Sequence, residues 1–232
     1  MIQDYPRSSA PTWQLVGKEA AAYVAAGLLF PLGLRDPRRR TLRAREQRTV
    51  VLVHGYLANR SSLLPLAAYL RWAGFKQILM YDYATGVGIE QAAIQLKSYL
   101  KRHVRGGRID LVCHSLGGLV ARVYLQQLGG ERRVYRCVTL GTPHRGTYNA
   151  YWTWSRVGAE LRPDSPLLGR LNAEDRAPST VRTLSVIAGS DNMVIPRVFA
   201  GHDQEVCFKD LGHISMLFSP RVFRLVGQHL RA

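Results

Sequence analysis

The residue with the clearest chemical potential is Ser115, in the stretch LVCHSLGGLVARVYL at residues 111–125. An apolar run ends at His114 and a helical pattern follows, which predicts that Ser115 lies on a turn from a strand into a helix. Such a turn raises a serine hydroxyl above the sheet and places a helix N-terminus beneath it, as suits a nucleophile. The turn needs small residues two positions before and after the serine, and Cys113 and Gly117 are small. A serine that only caps the helix is the alternative interpretation.

A serine nucleophile also needs hydrogen-bond donors for the oxyanion that forms when it attacks a carbonyl group. The backbone N–H of Leu116, directly after the serine, is one candidate. The other is the N–H of Tyr56 in the loop of LVHGYLAN, where Gly55 lets the backbone approach closely. His54, in the same loop, is expected to shape it beside the substrate rather than to act as a base.

The base and the acid are predicted further along the chain. His213, in KDLGHISML, comes after the last predicted strand, and Asp191, in VIAGSDNMVIP, directly follows the strand before it. Ligand sites of parallel sheets lie at the carboxyl ends of the strands, where both residues are expected. The imidazole would take the proton of Ser115, and the carboxylate would fix the imidazole tautomer. The rivals are placed less well, away from a strand end or inside the closing helix: His202, His229, Asp203 and Asp210.

These residues are joined by a regular alternation of short apolar runs and helical patterns. The alternation predicts an α/β domain with a mostly parallel sheet of about six strands and helices on both faces. We assign residues 49–232 to this domain, with a possible lid at 148–180, and residues 1–48 to an N-terminal extension. The predicted strands cover residues 49–55, 76–83, 108–114, 134–143, 180–191 and 204–208. The predicted helices cover residues 61–74, 88–104, 115–130 and 219–230.

The N-terminal extension contains an uninterrupted apolar run over residues 20–34, followed by an Arg-rich stretch over residues 35–48. The run is shorter than the roughly 20 residues of a membrane-spanning helix. A signal peptide would carry its positive charges before the apolar run, not after it. We therefore expect a helix that packs on the domain or covers its site, with a membrane-interface anchor as the alternative. A cytoplasmic or membrane-associated location is favoured over secretion.

The charge balance is basic, with 32 Lys and Arg against 16 Asp and Glu and a net charge of +16. Basic proteins attract polyanions. The basic residues are scattered and form no nucleic-acid module, so an anionic membrane surface is favoured over nucleic acid as a partner. Three cysteines are an odd number and indicate no disulfide framework. The scattered histidines and cysteines show no metal-ligand spacing, so neither a metal nor a cofactor is expected.

Five segments together resemble the bacterial lipases and esterases of the α/β-hydrolase superfamily, with the small Bacillus-type triacylglycerol lipases closest. They are LVHGY, CHSLGGLVA, GTPHRGT, the Asp of AGSDNMVIP and the His of LGHISMLFSPRV. The resemblance covers residues 49–231 and implies hydrolysis of carboxylic esters with fatty or other acyl chains. The matching positions are the nucleophile Ser115, the acid Asp191, the base His213 and the oxyanion donors Tyr56 and Leu116. The chain departs from the family in its N-terminal extension, in Cys113 and in the section before Asp191.

That section is rich in aromatic residues, with Tyr148, Tyr151, Trp152 and Trp154 close together. They suit an acyl-binding wall or a membrane belt, because Tyr and Trp favour places with one apolar and one wet side. Covering the edge of the sheet is the alternative. Substrate contacts are predicted for Tyr148 and Trp152, and for His144 as a loop residue lining the pocket.

The sequence therefore predicts a serine carboxylic-ester hydrolase, a lipase or esterase, that acts on lipid-like acyl esters. An acyltransferase or thioesterase with the same triad is the first alternative, because it shares the first half-reaction. A non-catalytic hydrolase-fold protein that docks on membranes is the second.

Overall fold

Each apolar run predicted as a strand forms one, and the six strands make a single parallel sheet. The structure is a computed structural model that describes residues 10–34, 42–43, 48–173, 180–197 and 204–232. The strands are β1 (Thr49–Val53), β2 (Ile78–Tyr81), β3 (Ile109–His114), β4 (Val134–Leu140), β5 (Arg182–Ala188) and β6 (Gln204–Phe208). They lie in the order β2-β1-β3-β4-β5-β6. The predicted fold class is confirmed.

Helices connect the strands and cover both faces of the sheet. The helix predicted from Ser61 opens instead as a 3₁₀ turn over Arg60–Leu63, and the α-helix starts at Leu64. Pro65 suits this start, because the first turn of a helix does not need its missing N–H. The helices are α1 (Thr12–Leu34), α2 (Leu64–Trp72), α3 (Ile89–His103), α4 (Leu116–Gln127), α5 (Arg156–Leu161), α6 (Pro166–Ala173) and α7 (Pro220–Arg231). A separate two-residue parallel pair joins Leu42–Arg43 to Val104–Arg105.

The sheet separates two apolar cores. Successive residues of a strand point to opposite faces, so Val51 and Val53 pack with α3, α4 and α6, while Val50 and Leu52 pack with α2 and α7. Burial on both faces explains why β1 in the interior of the sheet is almost entirely apolar, whereas β6 at its edge is only partly buried and begins with Gln204 and Glu205.

The strand order places the predicted site at the carboxyl ends of the neighbouring strands β1 and β3. From β1 the chain moves outward to β2, and then returns to add β3 on the other side of β1. Parallel sheets bind ligands outside the carboxyl ends of the strands at such a reversal. The loop of Gly55 and Tyr56 follows β1 and Ser115 follows β3, so these residues meet at the reversal.

The section after β4 is packed more firmly than a loose lid. It forms a 3₁₀ turn over Tyr148–Trp152, then α5 and α6. Three leucines of α6 are buried in the core next to α4: Leu167, Leu168 and Leu171. A lid at 148–180 stays a prediction.

Helix α1 has 23 residues, because it begins at Thr12 and includes Lys18 and Glu19 before the apolar run at residues 20–34. By length and composition it could cross a membrane, and only 11% of its most apolar 18-residue stretch is buried. On length alone, the expectation that this segment is too short is wrong. The helix nevertheless lies against the domain, contacting the 3₁₀ turns at Arg60–Leu63 and Ser215–Phe218. The Arg-rich stretch (apart from residues 42, 43 and 48) and the rivals His202 and Asp203 lie outside the described residues.

Candidate active site

Ser115 has a backbone conformation that side chains rarely adopt, with φ 51° and ψ −122°. Its N–H donates to the carbonyl oxygen of Leu140 at 2.8 Å, which continues the ladder between β3 and β4. A non-glycine residue at positive φ costs about 1–3 kcal/mol, and such strain persists where the surrounding structure enforces it. An ordinary N-cap residue has an extended backbone at negative φ. The strained turn therefore has the geometry of a raised nucleophile.

Close approach of the backbone explains the glycine two residues after Ser115. A Cβ at Gly117 would lie 2.6 Å from the carbonyl oxygen of His54 and 2.7 Å from that of Val53. A Cβ at Gly55 would lie 3.0 Å from the Cβ of Ser115. The glycines thus let the loop after β1 lie directly against the serine.

Cys113 lies two residues before Ser115, where the turn needs a small side chain, and is fully buried in the core. Burial, and then its contact with Cys137, raises the pKa of the Cys113 thiol well above its usual value. A thiol is nucleophilic as the thiolate, and burial disfavours the thiolate of Cys113.

Two backbone donors flank the serine. Among the described residues, the N–H groups of Tyr56 and Leu116 have no hydrogen-bond partner. Leu116 opens α4, and the first N–H groups of a helix lack intrahelical acceptors. The carbonyl oxygen of Gly55 lies 2.9 Å from Nδ1 of His54, which holds the loop of Tyr56 in place. Two such donors beside a nucleophile are suited to binding an oxyanion.

Asp191 and His213 form a buried pair at the carboxyl ends of β5 and β6. Nδ1 of His213 lies 2.7 Å from Oδ2 of Asp191. Oδ1 of Asp191 accepts the N–H groups of Met193 and Val194 at 2.7 and 2.9 Å. Burial lowers the pKa of His213, but the charge of Asp191, its hydrogen bond and a smaller contribution from Glu19 outweigh burial and raise that pKa above its usual value. The imidazole can therefore take up and hold a proton.

His114 links the serine to this pair, although the sequence interpretation did not assign it a role. Its Nε2 donates to the carbonyl oxygen of His213 at 3.1 Å, and the two rings lie 4.8 Å apart. Burial, and then the proximity of His213, lowers the pKa of His114 well below its usual value, so this ring stays neutral. The Ser115 hydroxyl makes no hydrogen bond to His213 within the described structure, as is common in ligand-free sites. The position of His114 directly before the serine was the signal in the sequence.

The rivals of Asp191 and His213 have other partners. Asp210 pairs with Arg221 at 2.6 Å, and the hydrogen bond from Arg221 lowers the pKa of Asp210. Nδ1 of His229 lies 3.3 Å from the side-chain oxygen of Gln204, at the amino end of β6 and so at the opposite edge of the sheet. No three His, Cys, Asp or Glu side chains in the described ranges are grouped to hold a metal ion.

The four predicted substrate-binding residues divide into two buried and two exposed. His54 is fully buried, with Nε2 2.9 Å from Asp82, and His144 is 3% exposed, with Nε2 3.0 Å from Oγ1 of Thr139. Neither ring offers an open surface, and a contact of either histidine with a substrate stays a prediction. Tyr148 and Trp152 are 56% and 86% exposed and are available to a ligand.

Comparison with protein families gives a match over residues 34–153, more than half of the chain, to a family described as a domain of unknown function, DUF7379. The chain belongs to this family. The match includes the loop of Gly55, Ser115 and strand β4, whereas α1 up to Gly33, Asp191 and His213 lie outside it.

Solved structures place this DUF7379 member among known folds. A Bacillus licheniformis lipase, BlEst2, is 18% identical with a TM-score of 0.62, covering 84% of this chain and 95% of its own. Aspergillus fumigatus lipase B is 11% identical with a TM-score of 0.69, covering 88% and 57%. Legionella pneumophila phospholipase PlaB is 16% identical with a TM-score of 0.56; the match covers 61% of this chain but only 38% of PlaB. The likeness shows the α/β-hydrolase fold of lipases and esterases, as predicted.

Proposed function

We propose that the protein is a serine carboxylic-ester hydrolase acting on lipid-like acyl esters. The observation that carries the proposal is the 2.7 Å contact between His213 and Asp191 at the same edge of the sheet as the strained Ser115. A nucleophile on a strained turn, a base oriented by a carboxylate and unpaired N–H donors are what acyl transfer from an ester requires.

The reaction follows from these groups in two halves. Ser115 Oγ attacks the ester carbonyl while Nε2 of His213 takes its proton, and the N–H groups of Tyr56 and Leu116 stabilise the oxyanion. The tetrahedral intermediate collapses when His213 protonates the leaving alcohol, which gives an acyl-enzyme. A water molecule then loses a proton to His213 and attacks the acyl carbon. The acid is released, and the proton returns to Ser115.

The class of substrate is supported by the exposed aromatic side chains beside the site and by the names of the structural neighbours, which include lipases and a phospholipase. Acyl transfer and thioester hydrolysis use the same first half-reaction, so the acceptor and the leaving group distinguish them. Triacylglycerol lipase and carboxylesterase differ in whether the substrate is aggregated or dissolved.

A fluorophosphonate probe is expected to label the protein at Ser115, because an activated serine attacks phosphorus as it does an ester carbonyl. Peptide mass spectrometry identifies the labelled residue, with Ser115→Ala as the control.

A series of p-nitrophenyl esters of increasing chain length distinguishes a lipase from an esterase. For a lipase, the rate of turnover should rise sharply at the concentration where the ester begins to aggregate. For an esterase, the rate should saturate below that concentration. No labelling and no turnover would favour the non-catalytic alternative.

We further propose that α1 lies on a membrane surface. The helix contacts the domain through loops that follow β1 and β6, so it lies at the edge of the sheet that carries Ser115. Its only charged residues are Lys18 and Glu19. Large apolar side chains of α1 are exposed to solvent: Trp13, Val16, Tyr23, Val24, Leu28, Phe30, Leu32 and Leu34. An interfacial helix binds lipid through such side chains.

Replacing Val24 and Leu28 with serine is expected to weaken binding to vesicles of phosphatidylcholine and phosphatidylglycerol by about tenfold or more. The reason is that both side chains are largely exposed in the free protein and would be buried in the lipid. Co-sedimentation measures the effect. Ile94→Ser on α3, also exposed, is the matched control. Equal binding by all three proteins would refute a membrane role for α1.

A further inference from the structure

Glu19 is the only acidic residue of α1, and the folded protein buries it to 9% exposure. A carboxylate removed from water needs charge-assisted partners to offset the loss of its hydration. In this structure the partners come from a loop 195 residues further along the chain, and that loop carries His213.

The Glu19 carboxylate holds two consecutive backbone N–H groups. Oε1 accepts the N–H of Ile214 at 2.7 Å, and Oε2 accepts the N–H of Ser215 at 2.9 Å. These groups open the 3₁₀ turn Ser215–Phe218, and the residue preceding that turn provides no side-chain cap. Glu19 thus caps the turn from a distant part of the chain, through hydrogen bonds that a full charge strengthens.

Gly212, the residue before His213, packs directly against the same carboxylate. A Cβ at Gly212 would collide with the carboxylate of Glu19. The N–H of Gly212 donates to Oγ of Ser215 at 2.8 Å, which closes the loop around His213. The residues before and after the histidine are therefore both placed by contact with α1.

We propose that Glu19 is a positioning residue for His213: its carboxylate fixes the loop that carries the imidazole by accepting the N–H groups of Ile214 and Ser215. The inference rests on the proposed function, in which His213 is the base. It makes α1, of which only Leu34 lies in the matched family region, a part of the structure that positions the base. A simple anchor for α1 is the competing explanation, and it predicts no effect on the titration of His213.

Within the described ranges, three titratable groups interact with His213: Asp191 from the loop after β5, Glu19 from α1 and His114 from the end of β3. Tyr23, also on α1, interacts with Glu19 and Asp191. Burial raises the pKa of the Tyr23 hydroxyl, and burial lowers the pKa of His114, so these two stay neutral. Asp191 and Glu19 are the negative charges that raise the pKa of His213. Removal of the Glu19 charge should therefore lower that pKa.

The decisive measurement is an NMR titration of the His213 ring in Ser115→Ala protein, with and without Glu19→Gln. The pKa of His213 is expected to be lower in the Glu19→Gln protein. The amide also presents N–H to a backbone donor, so one of the two clamping bonds is lost. Lys18→Gln is the matched control, because the substitution removes a charge from the adjacent position. The native Lys18 ammonium group lies 3.7 Å from Asp210 and does not hold the His213 loop. An unchanged pKa in Glu19→Gln, or an equal shift in Lys18→Gln, overturns the proposal.

Turnover gives a second readout. With p-nitrophenyl butyrate, kcat of Glu19→Gln is expected to fall about 10- to 100-fold, because a small displacement of a base has effects of this size. Because the base must be neutral, kcat/KM rises with pH through the pKa of His213, and this limb should move to lower pH. Glu19→Asp keeps the charge and should preserve the position of the limb. Wild-type protein without turnover would contradict the proposed function, while the NMR titration would still decide the role of Glu19.

Discussion

Ser115→Ala is expected to reduce kcat for p-nitrophenyl butyrate by about 10⁵-fold or more, because the covalent half-reaction loses its nucleophile. That loss corresponds to about 7 kcal/mol of transition-state stabilisation. The folded state should tolerate the change. The hydroxyl of Ser115 makes no hydrogen bond among the described residues, and alanine meets the same strain at φ 51°. Stopped-flow and steady-state release of p-nitrophenol measure the rate, and thermal unfolding measures the stability.

The control for this prediction is Cys113→Ala, which removes the nearest thiol. Burial keeps the Cys113 thiol protonated, so this variant should hydrolyse the ester within a few-fold of the wild-type rate. Turnover by Ser115→Ala at the wild-type rate would refute the assignment of Ser115 as the nucleophile. Loss of turnover in Cys113→Ala alone would transfer that assignment to the thiol.

The sheet could be predicted because its signal is local. Strands buried on both faces, such as β1, need apolar residues at consecutive positions, and each of the six strands leaves a short run of mostly apolar or β-branched residues in the sequence. The strand order is not local, since it depends on which distant runs pair. The start of α2 differed because the 3₁₀ turn at Arg60–Leu63 is stabilised by Asn59, whose side chain accepts the N–H of Ser61. A helical pattern does not distinguish such a turn from the first turn of an α-helix.

Parts of the site could be predicted where close contact between backbones requires a particular residue type. Gly55 and Gly117 are needed because two backbones nearly touch at Ser115, and glycine is visible in a sequence. Asp191 was distinguished from Asp210 by its place at a strand end, where the structure pairs it with His213. Their catalytic roles stay predictions. Glu19 could not be found in this way, because its partners are backbone N–H groups, and every residue except proline has one.

The burial of His54 and His144 has a related cause. A histidine in a loop near a strand end has the same sequence pattern whether its ring faces a ligand or the interior. Here Asp82 and Thr139 hold the two rings inside the domain, and neither partner is adjacent in sequence. The exposed Tyr148 and Trp152 show the opposite case, because no packing partner covers most of their surface.

Asp191→Asn is the second substitution with a large expected effect. We expect kcat to fall about 10⁴-fold with the fold retained, which is the size of the loss when the acid of a serine-protease triad becomes an amide. The reason can be read from the contacts of the carboxylate. Oδ1 accepts the N–H groups of Met193 and Val194, so an amide would keep its oxygen there. Its NH₂ group would then face Nδ1 of His213, 2.7 Å away in the native pair.

An amide donor at that position forces Nδ1 of His213 to accept a hydrogen bond, which places the ring proton on Nε2. The ring nitrogen that should take the proton of Ser115 is then already occupied. Loss of the Asp191 charge also lowers the pKa of His213, so the acid limb of kcat/KM should move to lower pH while the plateau falls. The ¹⁵N chemical shifts of His213 report the tautomer, and the pH profile reports the pKa. A tautomer and a plateau unchanged from wild type would exclude Asp191 as the group that orients the base. Asp210→Asn is the matched control: its carboxylate pairs with Arg221, and its loss should leave both measurements unaltered.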